Sequence, residues 1–170
     1  MSANSVFGPE PLASSHQIDE FDCRVPSLND YLKVRALGDA PAGKSRTYVI
    51  VRNEKVIGYF SISSASIDPA EATQRAAKGQ GKQNIPAILL GRLAVDVSAK
   101  GNGLGEALLI AALQKALQAA EIVGARVVLA HALDEGARSF YLKYGFEASP
   151  CHELHVKMLM KDIRKTYLNR

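Results

Sequence analysis

Apolar and polar positions in the first half of the chain follow patterns typical of one helix and a β-hairpin. Between Ser27, the predicted N-cap, and Gly38, the predicted stop, apolar residues recur at helical spacing. Residues 47–51 and 56–67 are rich in β-formers and flank a polar turn, which predicts the hairpin. Residues 68–78 follow as a short helical stretch.

The second half of the chain predicts a strand–helix–strand unit. Its pattern favours a strand over 88–95, a helix over 103–121 and a strand over 127–130. A helix that connects two strands of one sheet makes them parallel, with a right-handed crossover. A further helix is expected over 134–143, with its first residue as N-cap, and alternating apolar positions over 154–160 predict the last strand.

The chain carries no internal repeat and no second composition regime, so residues 1–170 are expected to form one domain. Residues 1–17, which are polar and contain Pro9 and Pro11, are expected to be a loose lead-in. The order of elements indicates an α/β (α+β) fold, with a mixed central β-sheet and flanking helices.

Composition limits the classes of protein that the chain can be. Hydrophobic residues make up 47% and charged residues 22%, an ordinary globular balance. Cys23 and Cys151 are far apart, and we expect free thiols in a reducing compartment. No apolar run reaches the ~20 residues of a membrane span, and the N-terminus lacks the basic and apolar regions of a secretory signal, so a cytoplasmic location without a membrane partner is expected. The net charge of +4 favours an anionic partner.

The turn Lys100–Gly105 carries the first chemical signal. Three alternate glycines lie between a predicted strand and a long helix. Glycine lets a ligand approach the main chain closely, and the helix N-terminus offers unpaired N–H groups to a pyrophosphate. The dinucleotide fingerprint G-x-G-x-x-G is excluded, because Glu106 and Leu108 stand where its last glycine would be.

With this turn, the chain resembles the GNAT superfamily of N-acetyltransferases. Lys100, Gly103 and Gly105 occupy the family's phosphate pattern Gln/Arg-x-x-Gly-x-Gly/Ala, and residues 140–146 match its later Phe-Tyr-x-x-x-Gly-Phe element. Lys100 keeps the charge of the usual residue but lacks its planar hydrogen-bonding group. The resemblance implies the GNAT fold, acetyl-CoA as co-substrate, and cofactor-binding residues Leu93, Ala94, Val95, Lys100, Gly101, Asn102, Gly103, Leu104 and Gly105. In that family, backbone groups at the Leu93 and Val95 positions serve the pantetheine arm.

The chain is similar, more narrowly, to the GNAT toxins of bacterial toxin–antitoxin pairs. The shared blocks are residues 21–23, 26–28, 46–48, 91–96, 101–105, 121–125 and 140–141. This resemblance implies a toxin that moves acetyl from acetyl-CoA to the α-amino group of aminoacyl-tRNA and inhibits translation. It also implies a ribbon–helix–helix antitoxin as partner, and a homodimer.

Tyr141 is the candidate general acid, because its phenol can protonate or hydrogen-bond a leaving thiolate. The family similarly places the tyrosine of this element near the cofactor sulfur. The alternative is a core aromatic residue whose hydroxyl is satisfied within the protein. Tyr144, three residues later, is the rival phenol, and we expect it to pack where the helix ends.

The basic side chains are the candidates for tRNA binding. Arg92 stands in an apolar strand, so its guanidinium must find a carboxylate, a phosphate or solvent. A contact to tRNA or to an antitoxin, and an intramolecular ion pair, are all open at this stage. The predicted tRNA-binding residues are Lys33, Arg35, Lys44, Arg46, Arg75, Lys78 and Arg92.

The histidines carry less information. His131 is either an assistant in proton transfer or a hydrogen-bonded core residue. His152 and His155 have no Cys or His partners at metal-ligand spacing, so no metal site is predicted. Two other functions compete with the toxin hypothesis: a GNAT enzyme that acts on a small amine or a protein N-terminus, and a non-catalytic acyl-CoA-binding module.

Overall fold

A computed structural model describes residues 5–168 and places them in two compact units. One unit runs up to Ser63 and includes Arg92–Ala112, and the other comprises Ser64–Gly91 and the chain from Leu113 onward. That the chain is a single domain stays a prediction. The beginning of the expected lead-in, residues 1–4, lies outside the described residues.

The described residues form a seven-stranded mixed sheet with helices, which confirms the predicted fold class. The strands are β1 (Val6–Pro11), β2 (Arg46–Arg52), β3 (Lys55–Ile67), β4 (Ile85–Val95), β5 (Val127–His131), β6 (Glu147–Ala148) and β7 (His155–Leu159). Their order in the sheet is β1-β2-β3-β4-β5-β7-β6. The helices are α1 (Pro26–Asp30), α2 (Ala36–Asp39), α3 (Gln74–Ala77), α4 (Leu104–Val123), α5 (Glu135–Lys143) and α6 (Met160–Tyr167). None of these helices is long and apolar enough to cross a membrane.

The first unit is built on the predicted hairpin of β2 and β3. Asn53 and Glu54 both have positive φ, 53° and 67°, as a tight two-residue hairpin turn requires. The expectation of a loose lead-in is wrong for residues 6–11, because β1 pairs with β2 in antiparallel fashion. All six β1 residues are exposed, so this edge strand has no apolar alternation to reveal it, and an edge tolerates its two prolines.

The predicted helix near residue 27 is present but is less regular than expected. Ser27 is not the N-cap: Val25 holds that position without a side-chain hydrogen bond, and Pro26 occupies the first turn, where its missing N–H costs nothing. A π-helical turn, Tyr31–Arg35, joins α1 to α2, which ends at Asp39.

The second unit contains the predicted parallel pair. Residues Ala87–Leu90 of β4 pair with Val127–Ala130 of β5, and β7 pairs with β5 in antiparallel fashion. Asp134 caps α5 as predicted, and its carboxylate accepts a 2.8 Å hydrogen bond from the Ala137 amide. The short helical stretch after β3 consists of a 3-10 turn and α3.

Two elements of the second unit were not predicted: the two-residue β6 and the helix α6. Met160, Ile163 and Tyr167 bury one side of α6 at helical spacing. Both thiols are free, as expected: Cys23 is buried and Cys151 is exposed.

Candidate functional site

A 3-10 turn, Val97–Ala99, joins β4 to the glycine turn and is held by the Asp96 carboxylate. One oxygen accepts from the Asp22 amide at 2.8 Å, and the other accepts from the Ser98 amide and hydroxyl at 2.9 and 2.6 Å. Burial alone would raise the pKa of Asp96, but the hydrogen bonds from Ser98 and Asp22 outweigh it and keep that pKa below its usual value. Asp96 therefore fixes where the chain leaves the strand. The sequence pattern singled it out only as part of a block, although Asp-x-Ser after a strand is a turn signal.

The glycine turn has the geometry of an open backbone cradle. Gly101 and Gly103 have φ of +84° and +76°, a region that residues with a side chain rarely adopt. A Cβ at either position would meet no atom within 4 Å, so the space beside both glycines is empty. Helix α4 begins at Leu104, and the amides of its first turn lack intrahelical acceptors. The turn thus exposes backbone donors and leaves a ligand free to reach them.

The Lys100 side chain is engaged within the protein. Its ammonium group donates a 3.1 Å hydrogen bond to the Cys23 carbonyl oxygen. Lys100 is an exposed residue, but this donor of its side chain is already used within the protein.

The end of β4 carries three of the predicted cofactor-binding residues, of which Leu93 and Val95 were expected to serve the pantetheine arm. The parallel ladder with β5 covers Ala87–Leu90, whereas β4 runs on to Val95. Ala94 is buried, and Leu93 and Val95 are half-buried on either side of it. The side chains of these three residues are apolar, so a polar contact to a ligand at this end of the strand would use their backbone groups.

Tyr141 lies on α5 in the second unit and is buried among aromatic rings. Its ring packs 5.6 Å from Phe140 and 5.2 Å from Phe146, centroid to centroid. Burial raises the pKa of Tyr141 to about 12, so its phenol stays protonated near pH 7. Within residues 5–168, no group hydrogen-bonds the Tyr141 hydroxyl, which argues against a core tyrosine with a satisfied hydroxyl.

Tyr144 has a different environment, which fits the expected structural role. It caps the C-terminus of α5, and its ring packs 5.1 Å from Phe140. Its carbonyl oxygen accepts a 2.5 Å hydrogen bond from the Tyr167 hydroxyl. Tyr144 therefore helps to join the end of α5 to α6.

Three histidines stack at one end of the second unit. His131 and His155 are cross-strand partners with ring centroids 3.8 Å apart, and His152 lies 4.4 Å from His155. Burial lowers the pKa of His131, and Lys157 and His152 lower it further. His131 is thus a solvent-accessible residue whose ring is partly covered by the stack and stays neutral, not the hydrogen-bonded core residue that the sequence left open.

Among residues 5–168, Arg92 forms no intramolecular ion pair, which was one of the contacts weighed from the sequence. Its guanidinium carbon lies 3.5 Å from the centroid of the Tyr31 ring, a close cation–π contact. The Arg35 guanidinium approaches the same ring at 5.1 Å. Lys33, Lys44 and Arg46 are exposed on the same unit.

The other two candidate cations belong to the second unit. Arg75 forms a bidentate pair with Asp162, at 2.8 and 2.9 Å, and a further ion pair with Glu147. These hydrogen bonds raise the pKa of Arg75 and occupy its donors, so it has fewer left for a phosphate. Lys78 has an exposed side chain, and its carbonyl oxygen accepts from Arg126.

Comparison with known proteins relates this chain to acetyltransferases. The sequence profile of the acetyltransferase (GNAT) domain matches residues 43–148. The tRNA-acetylating toxin of Mycobacterium tuberculosis is 40% identical over 156 residues, which cover 92% of this chain and 93% of the relative.

Solved structures of two toxins are similar over nearly the full length. A tyrosine-to-phenylalanine mutant of KacT superposes with a TM-score of 0.87 at 27% identity, covering 95% of this chain and 97% of that one. AtaT complexed with acetyl-methionyl-tRNAfMet gives 0.85 at 26% identity, with coverage of 95% and 97%. A tyrosine-to-phenylalanine mutant of AtaT bound to the C-terminus of the antitoxin AtaR and acetyl-CoA gives 0.80 at 26%, with coverage of 96% and 98%.

Proposed function

The chain belongs to the GNAT family of acetyltransferases, and on that basis we propose that it is a toxin that acetylates aminoacyl-tRNA. It transfers the acetyl group of acetyl-CoA to the α-amino group of the aminoacyl ester. The observation that carries this proposal is the 40% identity, across 92% of the chain, with a tRNA-acetylating toxin. An acetylated α-amine cannot attack the growing peptide, so the modified tRNA is lost to translation.

The glycine turn fits the pyrophosphate of the co-substrate. The amides at the start of α4 donate to phosphate oxygens, and the positive end of the helix dipole favours the negative charge. The empty space beside Gly101 and Gly103 lets phosphate come within hydrogen-bonding distance of the backbone. Asn102, Leu104 and Gly105 complete the turn, and Leu93–Val95 offer backbone groups to the pantetheine arm.

Acetyl-CoA, when bound, supplies an acetyl group activated as a thioester. Tyr141 is the residue that acts on its sulfur, because a buried phenol of pKa about 12 is a donor and not a base near pH 7. An ordinary thiol has a pKa of about 8.5, so the phenol stabilises the departing thiolate chiefly by donating a hydrogen bond to it. Such a group contributes about 10²–10⁴-fold to the rate.

The acceptor requires little help from an enzymic base. Esterification removes the carboxylate beside the α-amine, so this amine is substantially neutral near pH 7 in an aminoacyl-tRNA. Orienting the amine against the thioester then supplies much of the acceleration. The acceptor proton is released to solvent or to the new thiol.

The same family membership supports three further proposals. The partner that neutralises the toxin is a ribbon–helix–helix antitoxin, as the GNAT toxin resemblance implies. The toxin acts as a homodimer, and it acts in the cytoplasm, where charged tRNA is found.

Two matched variants test the catalytic proposal. Tyr141→Phe removes the hydroxyl that donates to the departing thiolate, so we expect acetylation of charged tRNA to fall at least 100-fold, with acetyl-CoA affinity unchanged. That hydroxyl has no hydrogen-bond partner among residues 5–168, so the fold should be little affected. The free energy of unfolding should change by less than about 1 kcal/mol. Tyr144→Phe makes the same substitution three residues later and should keep nearly full activity.

Growth on expression provides a second measurement. The unpaired toxin should arrest growth, and Tyr141→Phe should relieve the arrest while Tyr144→Phe does not. Near-normal activity of Tyr141→Phe would refute the role of this residue, even if the substrate assignment held.

A further inference from the structure

Two arginines converge on one aromatic ring in the first unit. Arg92, from β4, lies 3.5 Å from the Tyr31 centroid, and Arg35, from the helical segment, lies 5.1 Å from it. Burial raises the pKa of the neighbouring Tyr59, and the positive charges of Arg92 and Arg35 partly offset that rise. Two positive charges therefore share one small region of the surface.

Neither guanidinium has a carboxylate partner among residues 5–168. The Asp39 carboxylate accepts hydrogen bonds from the Tyr31 and Ser45 hydroxyls and forms no ion pair with either arginine. Like charges that converge without a counter-charge repel one another, and an anion between them relieves that repulsion. The cation–π contacts hold the guanidinium groups in place and leave their edges free to donate.

The local backbone is adapted to present Arg35. The turn that links Tyr31 to Arg35 is π-helical, with the Ala36 amide donating to the Tyr31 carbonyl oxygen. Single π turns inside helices occur frequently at functional sites. The Tyr31 hydroxyl bonds to Asp39 and Ser45, which fixes the ring on which both arginines rest.

We propose that Arg35 and Arg92, supported by Tyr31, form a clamp for a phosphate of the tRNA substrate; this inference rests on the proposed function. A guanidinium fork fits phosphate in a bidentate manner. Arg35 is exposed and Arg92 is half-buried, and Lys33, Lys44 and Arg46 are exposed on the same unit. Such a spread of cations suits a chain of phosphates better than the single carboxylate of a protein partner.

The test compares Arg35→Gln and Arg92→Gln with Arg24→Gln, a matched control on the same unit. Arg24 is exposed and lies beside Asp22, 3.9 Å away. Steady-state acetylation of one charged tRNA is measured at several salt concentrations. Each clamp variant should raise KM for tRNA by roughly ten- to a hundredfold with kcat little changed. The slope of log affinity against log salt should fall by about 0.7–0.9.

Four controls separate this role from a structural one. Both clamp variants should bind acetyl-CoA with wild-type affinity, and Arg35→Gln, at an exposed position, should unfold at the wild-type temperature. Arg92→Lys should recover part of the loss because it keeps the charge. Combining Arg35→Gln with Arg92→Gln should cost less than the product of the single effects, because both groups hold the same phosphate.

Two outcomes would overturn the proposal. One is an unchanged KM for tRNA and an unchanged salt dependence in Arg35→Gln, a substitution at an exposed position that should not affect folding. Another is a loss confined to antitoxin binding, which would make the pair a carboxylate site. Failure of the wild-type protein to acetylate any charged tRNA would instead refute the proposed function.

Discussion

Replacing Gly103 with alanine separates the two properties of the glycine turn, its left-handed backbone and the room it leaves for a ligand. The φ of Gly103 is +76°, and an alanine there costs about 1–2 kcal/mol in strain. Reduced freedom of the unfolded chain offsets part of this. The net loss of unfolding free energy should be about 1 kcal/mol, because the new Cβ meets no atom within 4 Å.

The same helix provides the matched control at its other end. Gly124 follows α4 with φ of +80°, and a Cβ there also meets no atom within 4 Å. Gly124→Ala should therefore lose as much stability as Gly103→Ala. Only Gly103→Ala should lose acetyl-CoA affinity, by at least about tenfold, since its methyl group occupies the path by which phosphate reaches the backbone.

Urea denaturation and calorimetric titration with acetyl-CoA measure the two effects separately. Equal acetyl-CoA affinity in Gly103→Ala and Gly124→Ala would refute the assignment of the turn to phosphate binding. A stability loss in Gly103→Ala far above that of Gly124→Ala would show that the space beside Gly103 is not free.

Two further predictions concern stability. Asp96→Asn should lower the free energy of unfolding by about 1–3 kcal/mol, because only one of the two terminal atoms of an amide can accept a hydrogen bond, whereas Asp22 and Ser98 donate to both. In urea denaturation, the exposed control Asp30→Asn should have nearly wild-type stability. Equal losses in the two variants would contradict the role of Asp96. Burial, reinforced by neighbouring cations, lowers the pKa values of His131 and His155 below 6.5, so protonation favours the unfolded state. Their contribution to stability is present above about pH 6.5 and is lost as the pH falls through their folded pKa values, so the melting temperature should drop as the pH falls below about 6.5. A double replacement by glutamine should flatten this dependence. An unflattened curve in that variant would show that the stack is not responsible.

Local sequence signals correctly predicted the elements that are determined by residues close together along the chain. The hairpin turn at Asn53 and Glu54, the cap at Asp134 and the parallel β4–β5 pair were all correct. Each depends on contacts close along the sequence, or on a connection whose handedness is fixed.

The missed elements lack such signals or depend on distant partners. β1 is exposed on both faces, so its position in the sheet comes from pairing with β2 and not from an apolar pattern. Helix α6 has only three buried positions, spread over eight residues that begin where a predicted strand was expected to end. Pro26 shifted the helix start away from Ser27.

The candidate site divides in the same way. The motifs singled out the glycine turn and Tyr141 as candidates, because backbone conformation and residue type define such motifs along the chain. The partner of Arg92 was not, since Tyr31 lies far from it in sequence and a cation–π contact leaves no pattern along the chain. The engagement of Arg75 with Asp162 is likewise visible only in the folded protein.

Incubation of total charged tRNA with labelled acetyl-CoA and the purified protein tests the central claim most directly. Hydrolysis of the aminoacyl ester should then release labelled N-acetyl amino acid, and Tyr141→Phe should abolish that product. Label that appears on free amines or protein N-termini, and on no aminoacyl-tRNA, would contradict the assignment.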